Sequence, residues 1–201
     1  EGEWVEAHRL AERGAKVFPE SVGGKLCRNL ITEIEAKSSS ISTERVWNQP
    51  WPKIDVQYRN LNNIYFRAVA YDWDKFLDRK HNRPENLNQQ ERKQLLETPP
   101  VLEWQAKLPP TPDFQERVEK LPAPQNLKPG FYFLIASHDP KFGEQDNQVT
   151  FTDVWVSELA LVVRPRNGYL EGFVLDARSG EPLAGAEVNS WFLDNQGNRE
   201  I

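Results

Sequence analysis

Apolar residues recur at helical spacing only at the start of the chain. In EWVEAHRLAERGAK, residues 3 to 16, Trp4, Ala7, His8, Leu10 and Ala11 fall on one stripe, which predicts an amphipathic helix ending near Gly14. Leu26, Leu30, Ile31 and Ile34 repeat the spacing and predict a second helix over 22 to 37, capped by Ser21 and broken by the run Ser38 to Ser40. The link KVFPES, with Phe18 and Pro19 at the corner, makes the pair a helical hairpin. Two short helices cannot bury their own apolar faces well, so this unit is expected to dock on the chain that follows or to close a helical repeat array.

From Ile41 the period changes to two. VQYRNLNNIYFRAVAYD predicts a strand at 54–59, a turn at Asn60 to Asn63 and a longer strand at 64–72. On the longer strand Ile64, Phe66, Ala68 and Ala70 share one face, and Tyr65, Arg67, Val69 and Tyr71 share the other. Residues 73–98 are polar, with Leu87, Leu95 and Leu96 as anchors, and predict a surface insertion carrying a helix over about 85–97, stopped by Pro99 and Pro100. VLEWQAKLP, DFQERVEKLP and GFYFLIASHD are strand-length runs set off by proline and glycine, with Phe131 to Ala136 the most apolar. VTFTDVWVSELALVVRP adds strands at 149–156 and 158–164. Seven strands at this spacing make one sandwich.

Pro165 to Gly168 reads as a short linker. Beyond it come a strand in LEGFVLDA, a tight turn in RSGEP, a second strand in AGAEVNSWFLD and a turn in NQGN. Two strands alone are marginal in water, so this second module is expected to be incomplete, with its missing strands after Ile201 in a longer parent chain. The predicted organisation is a helical hairpin over 1–40, a sandwich over 41–165 with its helical insertion at about 73–98, and the first strands of a second sandwich over 166–201.

Composition agrees with a globular chain and removes several function classes. Apolar residues are 38% of the 201, but seven Trp, ten Phe and five Tyr supply large buried areas per residue. The net charge of −5, with acids and bases interspersed, leaves no basic stripe for nucleic acid. No apolar run approaches the roughly 20 residues of a membrane helix, so this stretch is not expected to insert into a bilayer itself. The single cysteine, Cys27, allows no internal disulfide and no thiolate metal cluster, and its place on the second helix makes it a small packing residue.

LEGFVLDARSGEPLAGAEV resembles the Gly-x-Val-x-Asp-x-x-(Ser/Thr)-Gly-x-Pro-Leu-x-Gly-Ala-x-Val signature of prealbumin-like and macroglobulin modules. In it Gly172 allows close strand approach, Asp176 can bond the turn amides, Gly180 supplies positive φ and Pro182 fixes the exit; Gly185 permits a bulge before an inward Val188. Carboxypeptidase accessory domains and outer-membrane receptor extensions use the same pattern. Together with VQYRNLNNIYFRAVAYD, LKPGFYFLIASHDPKF and VWVSELALVVRPRNGY, the chain from about 54 to 201 resembles the N-terminal half of bacterial alpha-2-macroglobulin-like proteins. The helical start resembles the segment preceding the sandwiches in the Bacteroidetes type. The resemblance implies a mainly β fold: an immunoglobulin/macroglobulin-like β-sandwich preceded by a helical hairpin and followed by the start of a second β-sandwich. It also implies a large envelope protein, periplasmic or surface-attached, that traps endopeptidases after a bait segment is cut, in many members with a Cys-x-x-Gln thioester. Cys27 does not match that pattern, because position 30 is Leu30. No reactive residue of the family maps onto this chain.

The remaining candidates for chemistry are weighed individually. His8, His81 and His138 show no metal-ligand spacing. His138-Asp139-Pro140 reads as a turn start rather than an acid–base pair. Glu116 with Glu119, and Asp72 with Asp74, could be imagined as an acid and a base across a cleft, but are expected to be charges on an exposed face. Trp104 and Trp155 are expected in the core. Trp47 and Trp51, in WNQPWP, are expected to plug the end of the sandwich, with a glycan-binding or adhesion surface as the alternative. No catalytic, cofactor-binding or metal-binding residue is assigned and no cofactor is expected. The expected role is that of a non-catalytic structural module, with the other domains of the parent chain as partners and proteases as partners of the full-length protein.

Overall fold

The computed structural model describes residues 3–73, 87–143 and 147–190, together with the backbone of 192–193 and 199–200. Helix α1 (Trp4–Val17) and helix α2 (Val22–Glu35) form the expected hairpin. The turn between them is built around Ser21, whose hydroxyl accepts the Gly24 N–H at 2.9 Å and donates to the Phe18 carbonyl at 2.9 Å. Gly24 is required there, since a Cβ on it would lie 1.8 Å from the Phe18 carbonyl oxygen.

Among the described residues, eight strands in two sheets make the sandwich that follows. β1 (Ser38–Thr43), β3 (Lys53–Arg59) and β6 (Arg117–Pro122) form an antiparallel sheet in the order β1-β3-β6. The second sheet has the order β2-β8-β7-β4-β5, from β2 (Val46–Trp47), β4 (Asn63–Ala70), β5 (Leu102–Lys107), β7 (Gly130–Ser137) and β8 (Thr150–Val156). Period-two alternation places Ile54, Val56 and Tyr58 of β3 against Ile64, Phe66 and Ala68 of β4 and Tyr132, Leu134 and Ala136 of β7, all buried in one core. This is the sandwich the alternating runs predict.

Several expectations are corrected. The Ser38–Ser40 run does break the helix, but it also opens β1, whose inward positions Ser39 and Ile41 register with Tyr58 and Val56. β2 is a two-residue strand parallel to β8, too short to leave a periodic signal. The insertion helix is shorter than expected, Gln89–Glu97 (α3), because Asn88 caps it: the Asn88 side chain accepts the Glu91 N–H while Glu91 reaches back to the Asn88 N–H. It is not a mere surface appendage, since Leu95 is buried against the outer face of the five-stranded sheet with Val69, Phe131, Phe133 and Ile135. That second cover explains why β7 is buried on both faces along Phe131–Ser137.

The strand expected at 158–164 does not join the first sandwich. β9 (Leu159–Arg166) pairs antiparallel with β10 (Tyr169–Asp176), and Pro165 lies opposite Leu170 inside the ladder. The supposed linker is therefore a hairpin turn, with Asn167 and Gly168 at φ 49° and 81°, the primed geometry that two-residue β-hairpins favour. Of the second strand expected in AGAEVNSWFLD, residues 184–190 carry no strand, and β11 (Phe192–Leu193) pairs instead with β12 (Arg199–Glu200). Gly185, at φ 74°, turns the chain away after a single bridge between Pro182 and Leu175. Val188 is 56% exposed rather than inward.

Candidate functional site

The residues weighed for chemistry are dispersed, and each has a structural task. His8 stacks on Phe114 at 4.8 Å, with Nε2 2.8 Å from Glu35 and Nδ1 3.6 Å from Glu12. It fastens α1 to the end of α2 and to the loop before β6. Cys27 is half-buried between the helices, its sulfur where a Cβ on Gly14 would sit 2.6 Å away. Asp139 organises the turn after β7, its carboxylate accepting the Lys141 and Gly143 N–H groups at 3.3 and 3.1 Å. His138 is half-buried beside it. Glu116 bonds Gln57 across the edge of the three-stranded sheet, while Glu119 lies within β6 opposite Val56, so the two carboxylates do not frame a cleft. Asp72 is exposed; Asp74 and His81 lie outside the described residues, as does the side chain of Trp191. Among the described residues no three His, Cys, Asp or Glu side chains are grouped to hold a metal ion.

The tryptophans are mostly filling. Trp47 is 0% exposed, and its indole N–H donates to the Glu44 carbonyl at 2.9 Å and the Thr43 hydroxyl at 3.1 Å. Trp51 is half-buried against the same core, and Trp104 stacks on Phe66 at 5.0 Å. Trp155 belongs to the second cluster, 5.1 Å from both Trp73 and Phe131. WNQPWP is thus a plug between the sheets. Burial also raises the Tyr58 phenol above its ordinary range, helped by the nearby Glu119 carboxylate. Its hydroxyl donates to the Pro109 carbonyl at 2.8 Å.

The fold also leaves apolar surface exposed in two places. On the helical hairpin Leu10, Val17, Phe18, Val22 and Leu26 are exposed. On the β9–β10 ribbon the register puts Leu159, Leu161, Val163, Pro165, Leu170, Gly172 and Val174 on one face, an unbroken apolar surface apart from Asp176 at its end. Leu170 is 72% exposed. The opposite face carries Arg164 and Arg166 paired with Glu171 at 2.9 and 3.4 Å. Asp176 locks the turn that follows: the N–H groups of Ser179 and Arg178 donate to its carboxylate at 2.7 and 2.9 Å, holding its pKa below the ordinary value. Gly172 gives room where β10 meets β9, since a Cβ there would lie a tight 3.0 Å from the Val162 carbonyl oxygen. Sequence spacing foresaw the roles of Asp176 and Gly172. The ribbon itself was missed, although Asn167-Gly168 between two apolar runs is a hairpin signal.

The hairpin is tied to the sandwich through Asn60. At φ 57° it turns the chain between β3 and β4, its N–H donates to the Thr111 hydroxyl at 2.9 Å, and its side-chain amide donates to the Ile34 and Ala36 carbonyls at 2.7 and 3.0 Å. These two carbonyls lie at the open C-terminal end of α2, where intrahelical donors run out.

A mainly β fold with an N-terminal helical piece has a counterpart among solved structures. The crystal structure of native alpha-2-macroglobulin from Escherichia coli spanning domains NIE-MG1 superposes with a TM-score of 0.54 over 82% of this chain and 81% of that one, at 13% identity. The fold is macroglobulin-like. A second structure of the same protein, spanning domains MG0-NIE-MG1, covers 72% of this chain and 47% of its own at TM-score 0.46 and 15% identity. No protein-family model and no curated protein matches the sequence. At this identity the macroglobulin-like likeness is one of fold. No helix among the described residues is long and apolar enough to cross a membrane.

Proposed function

We propose that this chain is a non-catalytic structural module of an alpha-2-macroglobulin-like protein of the bacterial cell envelope, whose whole serves to trap endopeptidases. The observation that carries the reading is the shared arrangement of helical piece and sandwich with the Escherichia coli alpha-2-macroglobulin domains over most of both chains. The dispersal of its ionisable groups into capping and fastening tasks supports a scaffold role, and the exposed apolar surfaces of the helical hairpin and the β9–β10 ribbon support neighbouring modules as partners. For the glycan-binding alternative, Trp47 is buried and offers no ring to a sugar, which leaves the half-buried Trp51 as the ring of that loop.

The test is biochemical fractionation of the natural gene product with an antibody raised against this chain. The proposal expects the antigen in the envelope fraction, as part of a polypeptide considerably longer than 201 residues. Detection of the antigen only as a free chain of this size in the cytosol overturns it.

A further inference from the structure

On the outer face of the five-stranded sheet, period-two alternation along β8 brings Phe151, Asp153 and Trp155 to one side. The two rings belong to the second apolar cluster, and Asp153 registers directly opposite Phe133 of β7, a member of the same cluster. An aspartate therefore stands where the pattern asks for another apolar side chain. It is only 8% exposed, and among the described residues it makes no hydrogen bond and no ion pair. Aspartate is rarely buried to that extent without a partner, because taking an unbonded carboxylate out of water is costly.

Asp153 lines a hollow of about 130 Å³. Phe133, Phe151 and Leu87 supply its apolar wall, and Arg45 and Arg92 bring guanidinium groups to it. The Arg92 guanidinium lies 5.6 Å over the Phe151 ring, and no described carboxylate pairs with it. Its planar fork of donors suits a carbonyl or carboxylate oxygen. A lone cation in the hollow meets the two arginines and a lone anion meets Asp153, so the lining matches a ligand carrying both a donor ammonium and an acceptor oxygen. Size narrows the choice further: a cavity of about 150 Å³ accepts a benzene-sized group, while drug-sized ligands occupy about 300–1,000 Å³. One small apolar residue fits.

We propose that this hollow binds the α-amino end of an apolar amino acid or peptide. The ammonium donates to the Asp153 carboxylate, the adjoining carbonyl or carboxylate oxygen accepts from Arg92, and the side chain rests on Phe133, Phe151 and Leu87. The ammonium gives the buried carboxylate the charged donor that the described residues do not, and charge-assisted bonds of this kind are the strong ones. The inference stands apart from the role proposed above, whose test reads the size and location of the gene product.

Titration of the intact chain, followed by nuclear magnetic resonance, tests it with Leu-Gly-Gly, free leucine and N-acetylated Leu-Gly-Gly as probes. At least one of the two amines should shift the amides of Phe133, Phe151 and Asp153 and saturate below about 10 mM; the tighter of the two tells a peptide end from a free amino acid as the source. Acetylation, which removes the charged donor, should weaken binding at least about 10-fold. Asp153→Asn, of the same shape, should do the same, and so should Arg92→Gln on the exposed side of α3, by about 3- to 10-fold. Absence of saturable shifts with both amines overturns the proposal, as does equal binding of the acetylated peptide. Unchanged affinity in Arg92→Gln, or in an Asp153→Asn variant that keeps its thermal midpoint, overturns it as well.

Discussion

Replacing Trp47 by alanine separates the plug from the binding-loop reading of WNQPWP. Trp47 is 0% exposed, and its neighbours Ile54, Val156 and Leu134 belong to the same core. A tryptophan buries about 150–250 Å², which at about 25 cal/mol per Å² amounts to about 4–6 kcal/mol of transfer free energy. Alanine keeps part of that area and the unfolded chain already buries some of it, while the cavity left behind adds to the loss, so the expected cost is about 3–5 kcal/mol. The indole N–H bonds to the Glu44 carbonyl and the Thr43 hydroxyl are lost as well. A domain of this kind is stable by only about 5–15 kcal/mol, and each kcal/mol moves the melting midpoint by about 2–4 °C at this chain length. Trp47→Ala should therefore lower the midpoint by about 6–20 °C, read by near-ultraviolet circular dichroism, with Trp47→Phe losing a third to a half of that because the ring volume is largely kept. A midpoint shift below about 3 °C would refute the packing argument and return the loop to candidacy as a surface for ligands.

Other positions give independent tests. Asn60→Ala removes two bonds to the end of α2 and puts alanine, which tolerates the left-handed region less well than asparagine, at φ 57°, for a loss of about 2–4 kcal/mol in chemical denaturation, while Asn60→Gly keeps the turn and should cost about 1 kcal/mol less. Gly24→Ala drives a methyl into the Phe18 carbonyl and should destabilise the helical hairpin by about 1–3 kcal/mol; the adjacent Gly23→Ala meets nothing nearer than the Ser21 hydroxyl at 3.8 Å and should stabilise it by about 0.5–1 kcal/mol through helix propensity, both read by thermal melts at 222 nm. Asp176 has its pKa depressed by the amides of Ser179 and Arg178, so its contribution is present above the ordinary aspartate pKa and lost as pH falls through the lower, folded value. The amide resonances of both residues should titrate with a midpoint below about 3.9, and a midpoint at or above that value would contradict the turn geometry.

What the sequence disclosed follows from where its signals are strong. The helical hairpin was legible because two apolar stripes, a capping serine and a breaking serine run agree with one another. β3 and β4 were legible because one buried face imposes alternation, and β7 because a strand buried on both faces is a continuous apolar run. β1 was not, because Ser38–Thr43 is polar and becomes a strand only through its ladder with β3, a long-range pairing no local pattern encodes. The strand expected at 158–164 sits in a different sheet because apolar alternation identifies a strand without naming its neighbour, and Pro165 does not break the ladder because a hairpin edge tolerates it. Among the candidate side chains, Asp176 and Gly172 were readable because a turn motif fixes local geometry. The clamp at Asn60 was read only as a turn, since its partners Ile34 and Ala36 are 26 and 24 residues away.

The most direct measurement follows an endopeptidase such as trypsin after incubation with the full natural gene product, using a large protein substrate and a small chromogenic peptide side by side. Caging blocks access by size, so the account predicts that cleavage of the protein substrate falls steeply while hydrolysis of the peptide persists, and that this chain alone changes neither. Equal cleavage of both substrates with and without the full product, or inhibition by the isolated chain, would contradict it.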